Sequence, residues 1–402
     1  MPDYFLSDDT GNDSNSGTTV ALAWKTFSKA LGATGIKTSD TLIVKSGYYV
    51  QAALTIAMPN PTEETFIIGD VLGDYFGVSG SVIWSGYTSA GTVNASTPNS
   101  CVILAQRNNL TFKNINFRGA GNQLVTISAS GSANSRNIKF INCSFYSNTQ
   151  GINISATNTA TNPVFNLLID GCVFSTKISA GLDYTVANTT AVYDYGITVQ
   201  NSIFINGGIT KRNAVNPPAL FEYSGGLNLY NNIFYEVNGN NVVNLSNTSS
   251  EIIKTKLYNN LFVHCSASPI NLTNSSMEGD FNKFANCGTL NSFYTPGPND
   301  IVGGDPGIDF GNAMLTQSVN SGFGIPLYPT YIAGQGNANP STSIITPTID
   351  ATGKIRPYPG SGMMTSPAIG ALEMAEAYKL PTAPSQIGRS VGWSSIRPKT
   401  NN

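Results

Sequence analysis

A short motif that recurs along the chain is the strongest constraint on its fold. Residues 229–234 read LYNNIF and residues 257–262 read LYNNLF, and looser copies (apolar, any residue, Asn or Gly, any two residues, Phe) end at other phenylalanines. Intervals of 28, 29, 30, 30, 28 and 22 residues separate the aligned Phe117, Phe145, Phe174, Phe204, Phe234, Phe262 and Phe284. A regular period of this length is typical of repeat proteins, in which each repeat is one structural unit.

Alternation within each repeat predicts short strands. Apolar residues stand five and seven positions before most of the aligned phenylalanines, as Phe140 and Ile138 do before Phe145, and a period of two indicates a β-strand. A second alternation follows at 125–127, 152–154, 243–245 and 270–272. Each repeat therefore holds several strands and leaves no room for a helix.

The bend between the first strand and the Phe strand carries Asn or Gly, the residues that tolerate a left-handed backbone. If each repeat is one coil, these side chains lie about 4.8 Å apart, the spacing of neighbouring strands. We expect a hydrogen-bonded asparagine ladder there, formed by Asn114, Asn142, Asn201, Asn231 and Asn259, with Gly171 in the remaining coil. One residue further, a second column holds Ile115, Cys143, Cys172, Ser202, Asn232 and Asn260.

With these motifs the chain resembles the right-handed parallel β-helix proteins of the pectate-lyase-like superfamily. The opening YFLSDDTGNDSNSGT and WKTFSKAL resemble the turn and capping helix before a first coil, here DTLIVKSGYYV, and GGDPGIDF, DATGKIRP and SPAIGALE resemble the closing motifs. The resemblance implies an all-β, right-handed parallel β-helix solenoid with a short N-terminal capping helix and an irregular C-terminal segment. It does not determine activity, because this scaffold carries lyases, hydrolases, epimerases and non-catalytic virus fibres.

A solenoid forms one elongated body, since each coil contacts only its neighbours. We expect the opening turn and capping helix in residues 1–38 and the coils in 39–290. C-terminal coils and a closing segment then occupy 291–376, and an extended basic tail occupies 377–402. About ten coils of about 4.8 Å each predict a length of roughly 50 Å.

Composition excludes several classes of partner. Charged residues make up only 11% of the chain and the formal net charge is −2, which favours neither nucleic-acid binding nor attraction to an anionic membrane. No run of 18 apolar residues predicts a membrane-spanning helix. The beginning, MPDYFLSDD, lacks the basic and apolar regions of a secretory signal. We expect a virion location after release by host lysis, with an extracellular location as the alternative.

The five cysteines do not predict a disulfide framework, because their number is odd. Cys143 and Cys172 share one column of neighbouring coils, and Cys265 and Cys287 share another. Stacked Cα atoms lie within disulfide range, but parallel side chains seldom reach the required dihedral angle. We expect buried thiols that act as small apolar residues.

Catalytic groups are sparse in the repeat register. Lyases of this superfamily gather carboxylates around calcium, and glycoside hydrolases need acids about 5–10 Å apart. Neither kind of acidic column appears in the outward positions Thr111, Lys139, Leu168, Thr198, Asn228 and Lys256, or in the turn positions Lys113, Ile141, Asp170, Gln200, Tyr230 and Tyr258. Glu236 and His264 should stack in adjacent coils as an acid and base. The favoured alternative is a surface pair worth under about 1 kcal/mol.

The opening turn is rich in oxygen ligands. Asp8, Asp9, Asn12 and Asp13 loosely resemble a calcium loop but lack the bidentate glutamate of an EF-hand. We therefore favour a hydrogen-bonded turn and no cofactor, with calcium as the alternative.

Two features suggest that part of the surface is covered. Val173, Ile203, Ile233 and Leu261 precede aligned phenylalanines and face outward if the phenylalanines face inward, which predicts an apolar stripe. The alternative is that the bend turns them into the core. An outward stripe is covered either by the C-terminal segment of the same chain or by a symmetry mate, as in a homotrimer.

Residues 377–402 carry four basic residues, three prolines and no acid, a composition that does not form a core by itself. We expect an arm that docks on another protein through Arg389, Trp393, Ile396 and Arg397, with a loose terminus as the alternative.

These expectations favour a non-catalytic structural subunit of a virion, such as a head fibre, decoration, neck or tailspike protein, attached to other virion proteins through its C-terminal arm. The alternative is a polysaccharide lyase or glycoside hydrolase, including a tailspike that acts on a host surface glycan. Both functions allow carbohydrate as a further partner.

Overall fold

The computed structural model describes residues 2–51, 53–86, 100–119, 123–129, 135–147, 150–156, 165–176, 181–186, 195–205, 209–213, 227–235, 242–246, 253–265, 269–273, 275–290 and 294–303. The predicted closing motifs DATGKIRP and SPAIGALE and the tail 377–402 lie outside these residues.

The described residues form three long sheets, with strands numbered in chain order. Sheet 1 contains β1 (Asp3–Leu6), β2 (Thr41–Lys45), β5 (Thr65–Asp70), β8 (Asn108–Lys113), β11 (Arg136–Ile141), β14 (Phe165–Asp170), β17 (Tyr195–Gln200), β20 (Leu227–Tyr230), β23 (Ile253–Tyr258) and β26 (Ser275–Asp280). Sheet 2 contains β3 (Gly47–Val50), β6 (Val82–Ser85), β9 (Asn116–Arg118), β12 (Ser144–Ser147), β15 (Val173–Thr176), β18 (Ile203–Ile205), β21 (Ile233–Tyr235), β24 (Leu261–Val263), β27 (Lys283–Ala285) and β28 (Ile301–Val302). Sheet 3 contains β4 (Leu54–Thr55), β7 (Val102–Ala105), β10 (Gln123–Ala129), β13 (Gln150–Ala156), β16 (Leu182–Val186), β19 (Ile209–Asn213), β22 (Val243–Ser246) and β25 (Ile270–Thr273).

Strands of successive coils pair in parallel in all three sheets, as in β11 with β14, β12 with β15 and β13 with β16. The described chain is therefore a right-handed parallel β-helix, and the fold class predicted from the repeat is confirmed. Each coil adds one strand to each sheet, so residues one repeat apart lie over one another.

The aligned phenylalanines form one column in the core. Phe145 pairs in register with Phe117 and Phe174, and the register continues to Phe284. Ring centroids in this column are 4.5–5.3 Å apart, and all seven rings are buried. Gly181 fits against the column because a Cβ there would stand 2.7 Å from Phe204 Cδ1.

A short helix closes the N-terminal end, as the opening sequence predicts. The helix α1 (Phe27–Ala30) begins after Thr26, whose side chain accepts a hydrogen bond from Lys29 N. Phe27 stacks on Trp84 with ring centroids 3.8 Å apart, which covers the first rungs of the core. Among the described residues, no helix has the length and apolar character needed to cross a membrane.

The structure contains strands in sheets 1 and 3 that the sequence analysis did not predict. The strand β1 lies within residues 1–38 and pairs with β2, so sheet 1 begins earlier than the predicted start at residue 39. Sheet 3 also includes β16 and β19, which bridge the predicted strands at 152–154 and 243–245.

The bend between sheets 1 and 2 has the predicted left-handed backbone. Its φ angles are 51° to 62° at Asn114, Asn142, Gly171, Asn201, Asn231 and Asn259. The predicted ladder is interrupted at Asn231, whose amide is buried without a hydrogen-bond partner. Asn201 Nδ2 donates to Asp170 Oδ1 (2.9 Å).

The ladder instead occupies the next residue of each bend. Ser202 N donates to Asn232 Oδ1 (3.0 Å), and Asn232 N donates to Asn260 Oδ1 (3.0 Å). The same bond recurs from coil to coil along Cys172, Ser202, Asn232, Asn260, Asn282 and Asp300. These side chains face the interior, where a backbone N–H without an acceptor is costly, and this explains the shift by one residue.

All five cysteines lie within the described residues and none is in a disulfide. Four are buried and Cys287 is half-buried, so the predicted buried thiols are confirmed for Cys101, Cys143, Cys172 and Cys265.

Candidate carbohydrate-binding face

The outer face of sheet 2 carries the predicted apolar column. Ile203, Ile233 and Leu261 are at most 1% exposed. Among the described side chains, the contiguous core around the phenylalanines does not include them, as expected for residues that alternate with inward phenylalanines. Val173, the fourth member of the predicted column, is half-buried. A symmetry mate as cover stays a prediction.

The outer face of sheet 1 carries polar side chains in two straight rows. The outer row is Thr111, Lys139, Leu168, Thr198, Asn228, Lys256 and Glu278, and the corner row is Lys113, Ile141, Asp170, Gln200, Tyr230, Tyr258 and Asp280. Both rows alternate with core residues, so the pleat turns them away from the interior. Neighbouring coils repeat them about every 4.8 Å.

The two lysines of the outer row each lie next to a carboxylate. Lys139 Nζ lies 2.7 Å from Glu64 Oε1, which also accepts a hydrogen bond from Thr111 (2.6 Å). Burial raises the pKa of Glu64, but the hydrogen bonds from Lys139 and Thr111 outweigh it and hold the pKa below its usual value. Lys256 Nζ lies 3.8 Å from Glu278 Oε1. Between these pairs the row holds the uncharged Leu168, Thr198 and Asn228, and Asn228 Nδ2 lies 3.5 Å from Thr198 Oγ1.

Two tyrosines form a wall beside this surface. Tyr230 and Tyr258 pair in register on neighbouring strands and are 9% and 7% exposed. Burial, then the neighbouring Tyr258 and Glu278, raise the pKa of Tyr230 to about 12. Burial and the charges of Glu278, Asp280 and Asp300 raise the pKa of Tyr258 as well. Both phenols therefore stay protonated at neutral pH, and little of either side chain is exposed to solvent.

Three carboxylates meet near the last rung of sheet 1. Glu278 and Asp280 lie two residues apart on the same face of β26, which places their Cα atoms about 7 Å apart. Asp280 accepts hydrogen bonds from Phe281 N, Asn299 N and Asn299 Nδ2 at 2.7–2.9 Å. The protein thus uses both oxygens of this carboxylate.

Asp300, the third carboxylate, ends the internal ladder. It accepts hydrogen bonds from Asn282 N (2.7 Å), Gly297 N (2.9 Å) and the Tyr294 hydroxyl. Burial raises its pKa although these hydrogen bonds act in the opposite direction. Glu278 is the member of this group whose oxygens face solvent, with 57% of its side chain exposed. An acid and base pair is therefore not assembled by these three residues.

Of the predicted pair Glu236 and His264, the structure describes only His264. Glu236 lies outside the described residues. His264 is exposed at a bend with φ 53°, and its ring meets Tyr235 edge-on at 6.1 Å. The pairing stays a prediction.

The four candidate calcium ligands all accept hydrogen bonds from groups of the protein itself. Asp9 pairs with Lys45 at 2.8 Å, and Asp13 accepts hydrogen bonds from the backbone of the segment leading into α1 at 2.8–2.9 Å. Asp8 accepts from Tyr48 N (3.1 Å) and borders an open cavity of about 240 Å³, and Asn12 accepts from Ser14 N (3.0 Å). The hydrogen bond from Lys45, with that from Ser7, lowers the pKa of Asp9 to about 2.

Over the described part of the chain, no group of three or more His, Cys, Asp or Glu side chains is arranged to hold a metal ion. The predicted docking residues Arg389, Trp393, Ile396 and Arg397 lie beyond Gly303, the last described residue.

No family model and no curated protein matches the sequence. Among solved structures, the pectate lyase Pel9A matches with a TM-score of 0.48 and 12% identity over 92% of this chain and 96% of that chain. The GH136 lacto-N-biosidase from Eubacterium ramulus matches with a TM-score of 0.39 and 12% identity over 75% and 67%. Pectin methylesterase from carrot matches with a TM-score of 0.31 and 12% identity over 75% and 88%.

Proposed function

We propose that the protein is a non-catalytic carbohydrate-binding β-helix that holds a glycan across the outer face of sheet 1. The observation that supports this most is the row Thr198, Asn228 and Lys256. It presents a hydroxyl, an amide and an ammonium group in register on three adjacent strands. A carbohydrate chain offers hydroxyl groups at regular intervals, and such groups both donate and accept hydrogen bonds. The buried Tyr230 and Tyr258 support the adjacent strands of this row from the side.

The charge pattern favours a neutral glycan. Lys139 and Lys256, the two lysines of the outer row, are each next to a carboxylate, so much of their positive charge is offset. The net charge of −2 acts in the same direction.

The carboxylates favour retention of the glycan over its cleavage. Glycoside hydrolysis needs an acid and a base, or an acid and a nucleophile, on opposite sides of the scissile bond. Of the three carboxylates near the last rung, Asp280 and Asp300 accept hydrogen bonds from backbone and side-chain donors, and Glu278 is the one whose side chain is mostly exposed.

The test is a binding screen of the full chain against neutral and acidic polysaccharides by affinity electrophoresis. We expect retention by a neutral polysaccharide, no shortened or unsaturated products, and at least about tenfold weaker binding in Asn228→Ala, because two or more hydrogen bonds to hydroxyls are lost. The matched control is Tyr146→Ala, an exposed side chain on sheet 2, which should bind like the wild type.

Failure of every polysaccharide to bind overturns the proposal. An equal loss of affinity in Asn228→Ala and Tyr146→Ala overturns it as well. Release of cleaved products supports the lyase or hydrolase alternative instead.

We also propose, from composition, that the glycan-binding body is attached to a virion through residues 377–402. The supporting observation is that this segment combines four basic residues and Trp393 with no acid. In the full chain, Trp393→Ala should abolish co-purification with virus particles and leave glycan binding unchanged. Undiminished co-purification contradicts this docking role.

A further inference from the structure

Two pairs of stacked cysteines have the same local geometry. Cys143 and Cys172 each follow a residue with left-handed backbone, Asn142 (φ 51°) and Gly171 (φ 62°). Cys265 and Cys287 likewise follow His264 (φ 53°) and Asn286 (φ 51°). In both pairs the two cysteines belong to adjacent coils, so their Cα atoms lie near the strand spacing of about 4.8 Å.

The pairs differ in exposure. Cys143, Cys172 and Cys265 are at most 1% exposed, whereas Cys287 is half-buried. The thiols of Cys143, Cys172 and Cys265 each contact two backbone carbonyls, whereas the Cys287 thiol contacts one, Ala285 O (3.4 Å). A reagent in solution can therefore reach one member of the second pair and neither member of the first.

The two pairs also differ in electrostatics. Burial and the neighbouring Cys143 raise the pKa of the Cys172 thiol well above its usual value. The hydrogen bond from the Cys265 thiol lowers the pKa of Cys287 in spite of partial burial. Thiolate character and access together determine which cysteines react.

We propose that Cys287 is a redox modification site whose partner is Cys265, and that the two form a disulfide linking adjacent coils when the protein meets a small disulfide such as oxidised glutathione. The Cα spacing of stacked coils falls within the range of about 4.4–6.8 Å that a disulfide spans. The Cys265 thiol donates a hydrogen bond to the Cys287 sulfur, so the two sulfur atoms already face each other.

The reaction balances in two exchange steps. The Cys287 thiolate attacks one sulfur of oxidised glutathione, and the S–S bond breaks to release one glutathione thiolate. The Cys265 thiol then loses its proton and attacks the Cys287 sulfur of the mixed disulfide, which releases the second glutathione. Two protein thiols are oxidised, one glutathione disulfide is reduced to two thiols, and the two protons pass to the glutathione thiolates.

The bond joins the bends that follow β24 and β27, two coils that also carry Tyr258, Glu278 and Asp280. It closes a loop of 22 residues between Cys265 and Cys287, which restricts the unfolded chain. We expect the Tm of the oxidised chain to rise by roughly 2–5 °C.

The experiment treats the folded full-length chain with oxidised glutathione, quenches it, unfolds it and counts the cysteines that iodoacetamide still alkylates. We expect the count to fall from five to three and a linked peptide pair containing Cys265 and Cys287 to appear by mass spectrometry. In Cys265→Ser, Cys287 should end as a mixed disulfide with glutathione. Cys143→Ser is the matched control and should leave the Cys265–Cys287 linkage unchanged.

Three results overturn the proposal: all five cysteines stay alkylatable in the wild type, the mixed disulfide at Cys287 persists there, or Cys143 and Cys172 are linked as readily. The wild-type measurement is decisive by itself, so the conclusion does not depend on whether a variant folds. The result is also independent of glycan binding.

Discussion

Asn232→Ala should lower the free energy of unfolding by about 3 kcal/mol, whereas Asn231→Gly, one residue away, should change it by less than about 1 kcal/mol. Asn232 Oδ1 accepts from Ser202 N (3.0 Å), and its Nδ2 donates to Val199 O (2.9 Å) and Asn260 Oδ1 (3.0 Å). Alanine removes the acceptor of Ser202 N and a donor to Val199 O, at about 1–3 kcal/mol for each unsatisfied group, whereas Asn260 Oδ1 keeps the hydrogen bond from the backbone N of residue 232.

The control uses the same motif and the same residue type. The Asn231 amide has no hydrogen-bond partner, and φ is 56° at this residue, so glycine keeps the backbone and removes a buried polar group. Gly171 already occupies the equivalent bend. Urea denaturation monitored by circular dichroism measures both variants, and equal losses would contradict the position of the ladder.

Phe174→Ala should lower the free energy of unfolding by about 3–5 kcal/mol, because it removes a fully buried ring and leaves a cavity. The ring lies between Phe145 and Phe204, with centroids 4.6 and 4.5 Å away. Truncation therefore interrupts the column in the middle of the described coils.

Tyr146→Ala is the control for this substitution. Tyr146 follows Phe145 in β12 and is 42% exposed on the outer face, so its loss should change stability by less than about 0.5 kcal/mol. Thermal and urea unfolding of both variants give the comparison. A loss under about 1 kcal/mol for Phe174→Ala would mean that the phenylalanine column does not support the fold.

The core could be predicted because a solenoid superimposes equivalent positions. Because Phe145 and Phe174 are one repeat apart, parallel pairing of their strands places them directly opposite each other. The strand β16 has the sequence pattern of the other sheet 3 strands, since Leu182 follows Phe174 at the spacing seen in other coils. The strand β19 lacked that signal, because Lys211 occupies the position that pairs with Leu245 in the next coil.

The asparagine ladder shows what the sequence pattern could not predict, and the acids Glu278 and Asp280 show what it could. Asn231 and Asn232 are the same residue type, so spacing identifies the bend but not which side chain faces the interior. Both residues are fully buried, and only the hydrogen bonds of the folded bend distinguish them: the Asn232 amide bonds to the neighbouring coils and the Asn231 amide does not. Glu278 and Asp280 were within reach of the sequence: Phe284 continues the alignment, and counting back six and four residues gives them.

The functional residues were harder to predict than the core. Thr198 and Asn228 are ordinary residues in a chain rich in both types, and only the register of β17 and β20 places them side by side. The ion pair of Lys139 with Glu64 joins residues 75 positions apart, beyond the reach of a repeat of 28 to 30 residues.

A crystal structure of the full chain soaked with a fragment of a polysaccharide that it binds tests the proposed function most directly. The account predicts an uncleaved fragment across β17, β20 and β23, with hydrogen bonds from its hydroxyls to Asn228 and Lys256. A fragment bound to the outer face of sheet 3 or in the cavity beside Asp8, or one found cleaved next to Glu278, would contradict it.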